Sequence, residues 1–231
     1  MRNRVLQPEV MDDPSLDPAI HRRALAGLSR LNRVSRSSAI LWSAIADLFS
    51  MTPGPLRLLD VATGSGDLPV ALARRARALG KPLHIAACDT SLVALDAARR
   101  SAAREGVDID FFQSDVLTQT LPEGYDIVTC SLFLHHLNHA QAVALLRSMA
   151  HAAQRRLVVN DLLRSRWNLI TVTLASRVLT TCSVVHIDGP LSVRAAFTLA
   201  EARALAQEAG LRNANVVPRF PARFLMTWDR T

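Results

Sequence analysis

From residue 56 to residue 159, short apolar runs alternate with longer segments whose apolar positions recur at helical spacing, and this alternation constrains the fold more than any other feature. Strands are predicted over 56–61, 83–88, 109–113, 125–133 and 156–159. Helices are predicted over 67–79, 91–105 and 138–153, with Gly80 and Gly106 as stops after the first two. Strands separated by helices cannot form hairpins. They pair in parallel through crossovers, which predicts a doubly wound sheet with helices on both faces.

The flanks add helices. Segments 17–31 and 37–49 read as two helices, with Asp17 and Ser37 as N-caps and Pro18 at a first helical position. Leu41, Ile45, Leu48 and Phe49 give the second an apolar face, and Thr52-Pro53-Gly54-Pro55 breaks the chain. Residues 1–52 are therefore expected to form a helical cap, and 53–231 the main domain. Residues 165–185 read as a helical insertion; from Trp167 to Val185 it is either the lining of an acceptor pocket or lid, or ordinary core. Segment 198–209 is a helix with Thr198 and Glu201 as a capping box and Gly210 as its stop. Residues 216–217 and 224–228 read as two closing strands.

Composition narrows the class. Apolar residues make up 49% and charged residues 20%, an ordinary globular balance. The net charge is +7, but its arginines are scattered along helices, as at Arg74, Arg75 and Arg77, and read as a solvated surface. Aromatics at 5% are too scarce for a stacking platform, so no specific nucleic-acid partner is expected. Cys88, Cys130 and Cys182 form no CxxC pair, which argues against zinc or disulfides and fits a reducing, cytoplasmic setting. Residues 1–13 lack the apolar run of a secretory leader, and no apolar stretch is long enough to span a bilayer.

The chemistry concentrates at strand ends. Asp60-Val61-Ala62-Thr63-Gly64-Ser65-Gly66 joins a strand to a helix start. Glycines let the backbone pass close under a ligand, and the helix start offers free N–H groups to a carboxylate or phosphate. A dinucleotide turn wants a third glycine where this chain has Pro69, and a phosphate loop wants Gly-Lys-Ser/Thr, which is absent. Asp60 would repel pyrophosphate but suits a cation such as a sulfonium. Asp89 ends the second strand, where a carboxylate accepts ribose hydroxyls, or else caps the helix after it. Ser114-Asp115-Val116 follows the third strand, where a carboxylate can accept adenine amino hydrogens or serve as a turn cap. Thr90 and Ser131 fall at the same strand ends.

Asp60 to Asp67, Asp89, Ser114-Asp115 and Tyr125-Asp126-Ile127-Val128 resemble, in order, the motifs of class I S-adenosylmethionine-dependent methyltransferases. The turn looks most like the quinone-biosynthesis branch, although Ala62 stands where the commoner turn has glycine. The N-terminal helices and Val159-Asn160-Asp161-Leu162 resemble polyketide-associated small-molecule methyltransferases. The resemblance implies a Rossmann-like seven-stranded sheet, mostly parallel with the last strand antiparallel, and S-adenosylhomocysteine as product. It also implies that Asp60 and Gly64 to Gly66 face the methionine part, Asp89 the ribose, and Asp115 with Val116 the adenine, with Ala62, Thr63, Thr90, Ser114 and Ser131 also at the cofactor.

The acceptor it implies is a small phenol, polyketide-like molecule or quinol, with O-methylation first and C-methylation of a quinol as the alternative. A second copy of the chain is compatible with it. Methyl transfer to a phenol needs proton removal, for which histidine suits neutral pH. His135 and His136 follow the fourth strand, and His186 stands near Asp188 in what reads as a turn fixed by Gly189-Pro190. Each is either a base or a polar surface residue. Asn160-Asp161 suits substrate or metal but has no evident third ligand, so no metal is expected. Amino-group methylation of nucleic acid or glutamine would call for Asn-Pro-Pro-Tyr where this chain has Ser131-Leu132-Phe133-Leu134, and cytosine-C5 chemistry for a Pro-Cys nucleophile, whereas Cys130 follows Thr129. A cofactor-binding protein without catalysis is the rival from another class.

Overall fold

A computed structural model describes residues 1, 3–13 and 15–230. The expected alternation is present: β1 (Leu56–Val61), β2 (Leu83–Asp89), β3 (Asp110–Gln113), β4 (Tyr125–Ser131), β5 (Ala153–Leu162), β6 (Asn215–Arg219) and β7 (Arg223–Asp229) form one sheet of order β3-β2-β1-β4-β5-β7-β6. Strands β1 to β5 pair in parallel and β7 runs antiparallel to β5 and β6. The winding reverses between β1 and β4, so the carboxyl ends of these strands border the crevice where open α/β sheets bind ligands.

Helices cover both faces: α1 (Pro18–Val34), α2 (Ser37–Ile45), α3 (Leu48–Met51), α4 (Asp67–Ala78), α5 (Leu92–Glu105), α6 (His139–Ala152), α7 (Arg166–Leu179), α8 (Ser183–Ala195) and α9 (Leu199–Glu208). On one face Leu41 and Ile45 of α2, Leu72 of α4 and Leu95 of α5 pack on Leu58 and Ile127. On the other, Leu145 and Leu146 of α6 and Leu205 of α9 pack on Leu59, Val128 and Leu157. Each strand feeds both cores, which is why these strands read as continuous apolar runs rather than alternating ones. Part of the expected cap, α2, is thus sheet core.

Local signals match where neighbours decide the outcome. Asp17 accepts the N–H groups of Ala19 and Ile20, and the capping boxes Asn138/Gln141 and Thr198/Glu201 are both made. Segment 37–49, expected as one helix, divides into α2 and α3, and its first cap is Arg36 at φ 56° rather than Ser37. Strand β5 outruns 156–159 at both ends, because β4 pairs with it from Ala153 and β7 pairs with it as far as Leu162. The insertion is two helices and extends to Ala195. Its inner face sets Leu169 and Val172 against Leu132 and Leu162, beside the crevice, while Trp167 and Val178 are 79% and 82% exposed. No helix among the described residues is long and apolar enough to cross a membrane.

Candidate functional site

The turn after β1 is stitched to β2. Thr63 N–H donates to the Cys88 carbonyl at 2.9 Å, and Gly64 N–H donates to Asp89 Oδ2 at 2.8 Å. Ala62, Gly64 and Gly66 take φ values of 53°, 57° and 67°. Ala62 therefore holds a left-handed conformation that glycine would hold without strain. The two glycines have different reasons to be glycine. A Cβ on Gly66 would lie 2.8 Å from the Ala98 Cβ and 3.2 Å from the Phe111 ring, whereas one on Gly64 meets nothing within 4 Å. Gly66 lets α4 close onto α5; Gly64 leaves a bare backbone at the crevice.

Asp60 is 2% exposed, and its carboxylate accepts the hydroxyls of Thr63 at 2.7 Å and Thr129 at 2.6 Å. Burial pushes its carboxyl up to about 6, with the two hydroxyls opposing and Asp67 and Asp89 adding to the rise. Asp89 is half-buried and also accepts the Ser91 N–H at 2.9 Å, while the cap of α5 is the Ser91 hydroxyl, which accepts the Ala94 N–H at 3.2 Å. Thr90 is exposed beside it. Asp115 accepts the Leu117 N–H at 3.0 Å and the Thr118 hydroxyl at 2.8 Å, shaping its own turn. Ser114 donates to Gln119 Oε1 at 2.8 Å, and Val116 is buried. Ser65 donates to Asp67 Oδ1 at 3.3 Å.

At the adjacent ends of β4 and β5, Ser131 and Asn160 stand in register. The Ser131 hydroxyl and both polar atoms of the fully buried Asn160 amide have no protein partner. Leu132 follows at φ 58°, a strained conformation for a bulky residue and one that tends to occur at functional sites. Arg223, 5% exposed, donates from Nη2 to Ser35 at 2.7 Å and to Asn32 at 3.3 Å, while its Nε and Nη1 have no partner. Burial pulls its guanidinium down to about 10 against the charges of Asp161 and Asp67. Asn32 Nδ2 in turn donates to Asp67 Oδ2 at 3.1 Å, linking α1 to the start of α4.

His135 and His136 lie in a short turn, Leu134–His136, under an N-terminal arm. His135 is 3% exposed; its Nδ1–H donates to Asp161 Oδ1 at 2.6 Å, and its backbone N–H donates to Asp161 Oδ2 at 3.1 Å. Burial would push the Asp161 carboxyl up, but the neighbouring His135 and the hydrogen bonds from His135 and the Leu162 N–H hold it below the ordinary value. His136 Nδ1–H donates to Asp12 Oδ2 at 2.9 Å. Burial lowers His136, but the Asp12 hydrogen bond and the charges of Glu9, Asp12 and Asp161 outweigh it and raise it to about 9. The arm is fastened by Arg4, which donates to the His135 carbonyl at 2.7 Å and to the Ala195 carbonyl, and by Asp188, which accepts the Val10 and Met11 N–H groups at 2.8 and 3.0 Å.

The His186–Asp188 pairing is not made. Gly189 and Pro190 lie inside α8 rather than in a turn, Asp188 faces the arm, and His186 Nε2 donates to the Thr180 carbonyl at 2.8 Å. Residues two apart on a helix point to different sides, so continuation of the helix separates them. Glu9, Asp12, Asn32 and Arg223 were not expected in the site. Each reaches it only through a long-range contact, for which no local pattern exists.

Residues 58–155 match the family described as "Methyltransferase domain". A demethylmenaquinone methyltransferase of Thermus thermophilus is 35% identical over 101 residues, which cover 43% of this chain and 44% of that protein. The chain thus spans under half the length of this curated relative. Among solved structures, magnesium protoporphyrin IX methyltransferase of Synechocystis with bound S-adenosylhomocysteine superposes with a TM-score of 0.58 at 20% identity, covering 96% of this chain and 91% of that one. An O-methyltransferase family 2 protein of Planctomyces limnophilus in complex with apigenin gives 0.60 at 18% identity, covering 95% and 63%. The match over residues 58–155, together with the sheet order and reversed last strand described above, supports a class I S-adenosylmethionine-dependent methyltransferase.

Proposed function

We propose that this chain transfers the methyl group of S-adenosylmethionine to an oxygen of a small phenolic or polyketide-like acceptor. The observation that carries the donor is the bare Gly64 backbone at the crevice, with the Asp89 carboxylate at the next strand end. The residues present fit the cofactor. Gly64 to Gly66 and the α4 start would hold its methionine part, Asp89 its ribose, and Asp115 with Val116 its adenine. The unpartnered Ser131 hydroxyl and Asn160 amide are buried groups that a ligand at these strand ends would satisfy.

S-adenosylmethionine supplies a methyl carbon on a positively charged sulfur; the acceptor oxygen forms the new C–O bond as the C–S bond breaks, and the O–H proton leaves to a base. A free phenol, with a pKa of about 10, gives up that proton poorly at neutral pH. His135 is the better-positioned base, because Asp161 takes its Nδ1–H and leaves the Nε2 lone pair free. Leu132, Leu169 and Val172 supply an apolar wall that excludes water. The apigenin complex of the structural relative supports a phenolic acceptor, and the quinone relative supports a second reading, methylation of a quinol ring carbon.

The test is transfer of labelled methyl from S-adenosylmethionine to panels of phenols and quinols, with bulk RNA in parallel and product atoms assigned by NMR. Labelled phenol ethers support the first reading and ring-methylated quinols the second. Labelling of RNA alone would overturn both.

A further inference from the structure

We propose that Glu9, His135 and His136 form a binding site for a divalent transition-metal ion, zinc first, with an open coordination position facing a half-open cavity. The Glu9 Oε1 lies 3.8 Å from His135 Nε2 and 3.9 Å from His136 Nε2, and the ligand atoms all lie within 4.8 Å of one another. Glu9 is 7% exposed, His135 3%, and the His136 side chain 19%. Such distances are too long for hydrogen bonds, so the carboxylate and the two imidazoles converge on a common point without bonding one another. Ligands at zinc distances in a tetrahedron sit about 3.4 Å apart, so closing on an ion needs each ligand atom to move by less than about an ångström.

The surrounding bonds have the form metal sites use. A ligating imidazole typically donates its other N–H to a carboxylate, which fixes the tautomer and aims the lone pair. Here each does so to its own carboxylate: His135 to Asp161 at 2.6 Å and His136 to Asp12 at 2.9 Å. Glu9 is positioned by the Ser192 hydroxyl, which donates to its Oε1. Two imidazoles and one carboxylate are a borderline donor set that suits zinc or iron(II) over magnesium or calcium. A cavity of about 300 Å³, lined by Leu6, Pro8 and Ala195 beside the ligands, adjoins the cluster and gives a water or an acceptor oxygen access to the fourth position. An ion here would also bolt the N-terminal arm, through Glu9, to the end of β4. Metal binding and proton uptake compete for the same Nε2 lone pairs, so an occupied site replaces the histidine base.

The experiment titrates the chelator-stripped full chain with Co²⁺ and, separately, Zn²⁺, without cofactor or acceptor. It is read by the visible absorption of bound Co²⁺ and by calorimetry, and therefore stands apart from any methyl-transfer result. The expected result is one saturable ion per chain. Glu9→Gln should weaken it at least tenfold, and Asp12→Asn, which removes only the His136 orienter, by roughly 10–100-fold. His151→Ala, at an exposed histidine paired with Glu123, should bind as wild type does. Should His135→Ala fail to fold, Glu9→Gln and Asp12→Asn, checked by circular dichroism, carry the test. No saturable ion on the folded wild type, or undiminished binding in Glu9→Gln, overturns the proposal.

Discussion

Exchanging Gly64 and Gly66 separately for alanine should separate the two tasks of one turn. Both residues are left-handed, at φ 57° and 67°, so each alanine carries a backbone cost of about 1 kcal/mol. At Gly64 that is the whole cost, since the new methyl meets nothing within 4 Å. At Gly66 the methyl lies 2.8 Å from the Ala98 Cβ and 3.3 Å from the Ala98 Cα, and helix backbone cannot turn aside. Overpacking of that kind adds about 2 kcal/mol, for a total near 3 kcal/mol. For a chain of this size, thermal melting should then fall by roughly 6–12 °C in Gly66→Ala and roughly 2–4 °C in Gly64→Ala. Affinity should follow the opposite order. Gly64→Ala puts its methyl where the donor's methionine part would lie and should weaken S-adenosylmethionine at least tenfold in calorimetry, more than Gly66→Ala does. If Gly66→Ala melts like wild type, or if Gly64→Ala binds the donor undiminished, the division of labour is wrong.

Asp60, raised by burial to about 6 from an ordinary 3.8, favours its protonated form in the fold; its contribution to stability is full below about pH 4 and is lost as pH rises from 4 to 6. The change amounts to about 3 kcal/mol at the level of an order of magnitude. Asp60→Asn should therefore flatten the fall in unfolding free energy across pH 4–6, measured in urea; a wild-type slope retained in the variant would refute this. Asn160→Leu removes a fully buried amide with no protein partner and should raise stability by about 1–3 kcal/mol while cutting methyl transfer at least tenfold. A destabilised Asn160→Leu would show that the amide is satisfied in solution.

Much of this molecule is local and was therefore legible. The strands and most helices from Leu56 onward follow apolar periodicity, and the caps at Asp17 and Thr198 involve residues no more than three apart. The strand-end acids Asp60, Asp89 and Asp115 were legible because, once the strands are known to lie parallel, every strand end faces one crevice. What was not legible is set by packing. Pro190 signals a break and costs an interior helix position about 3 kcal/mol, yet α8 runs through it because Val184, Val185 and Val193 are buried around it. That continuation parts His186 from Asp188 and frees Asp188 to hold the arm. Arg223 meets Asn32, and Glu9 meets His135 and His136, across most of the chain. The sequence by itself determined the doubly wound sheet and the crevice at its strand ends, since those follow from periodicity and from neighbours along the chain. Only the tertiary structure decided what surrounds the two histidines after β4, because charges so far apart in sequence become partners only once the sheet, α8 and the arm have packed together.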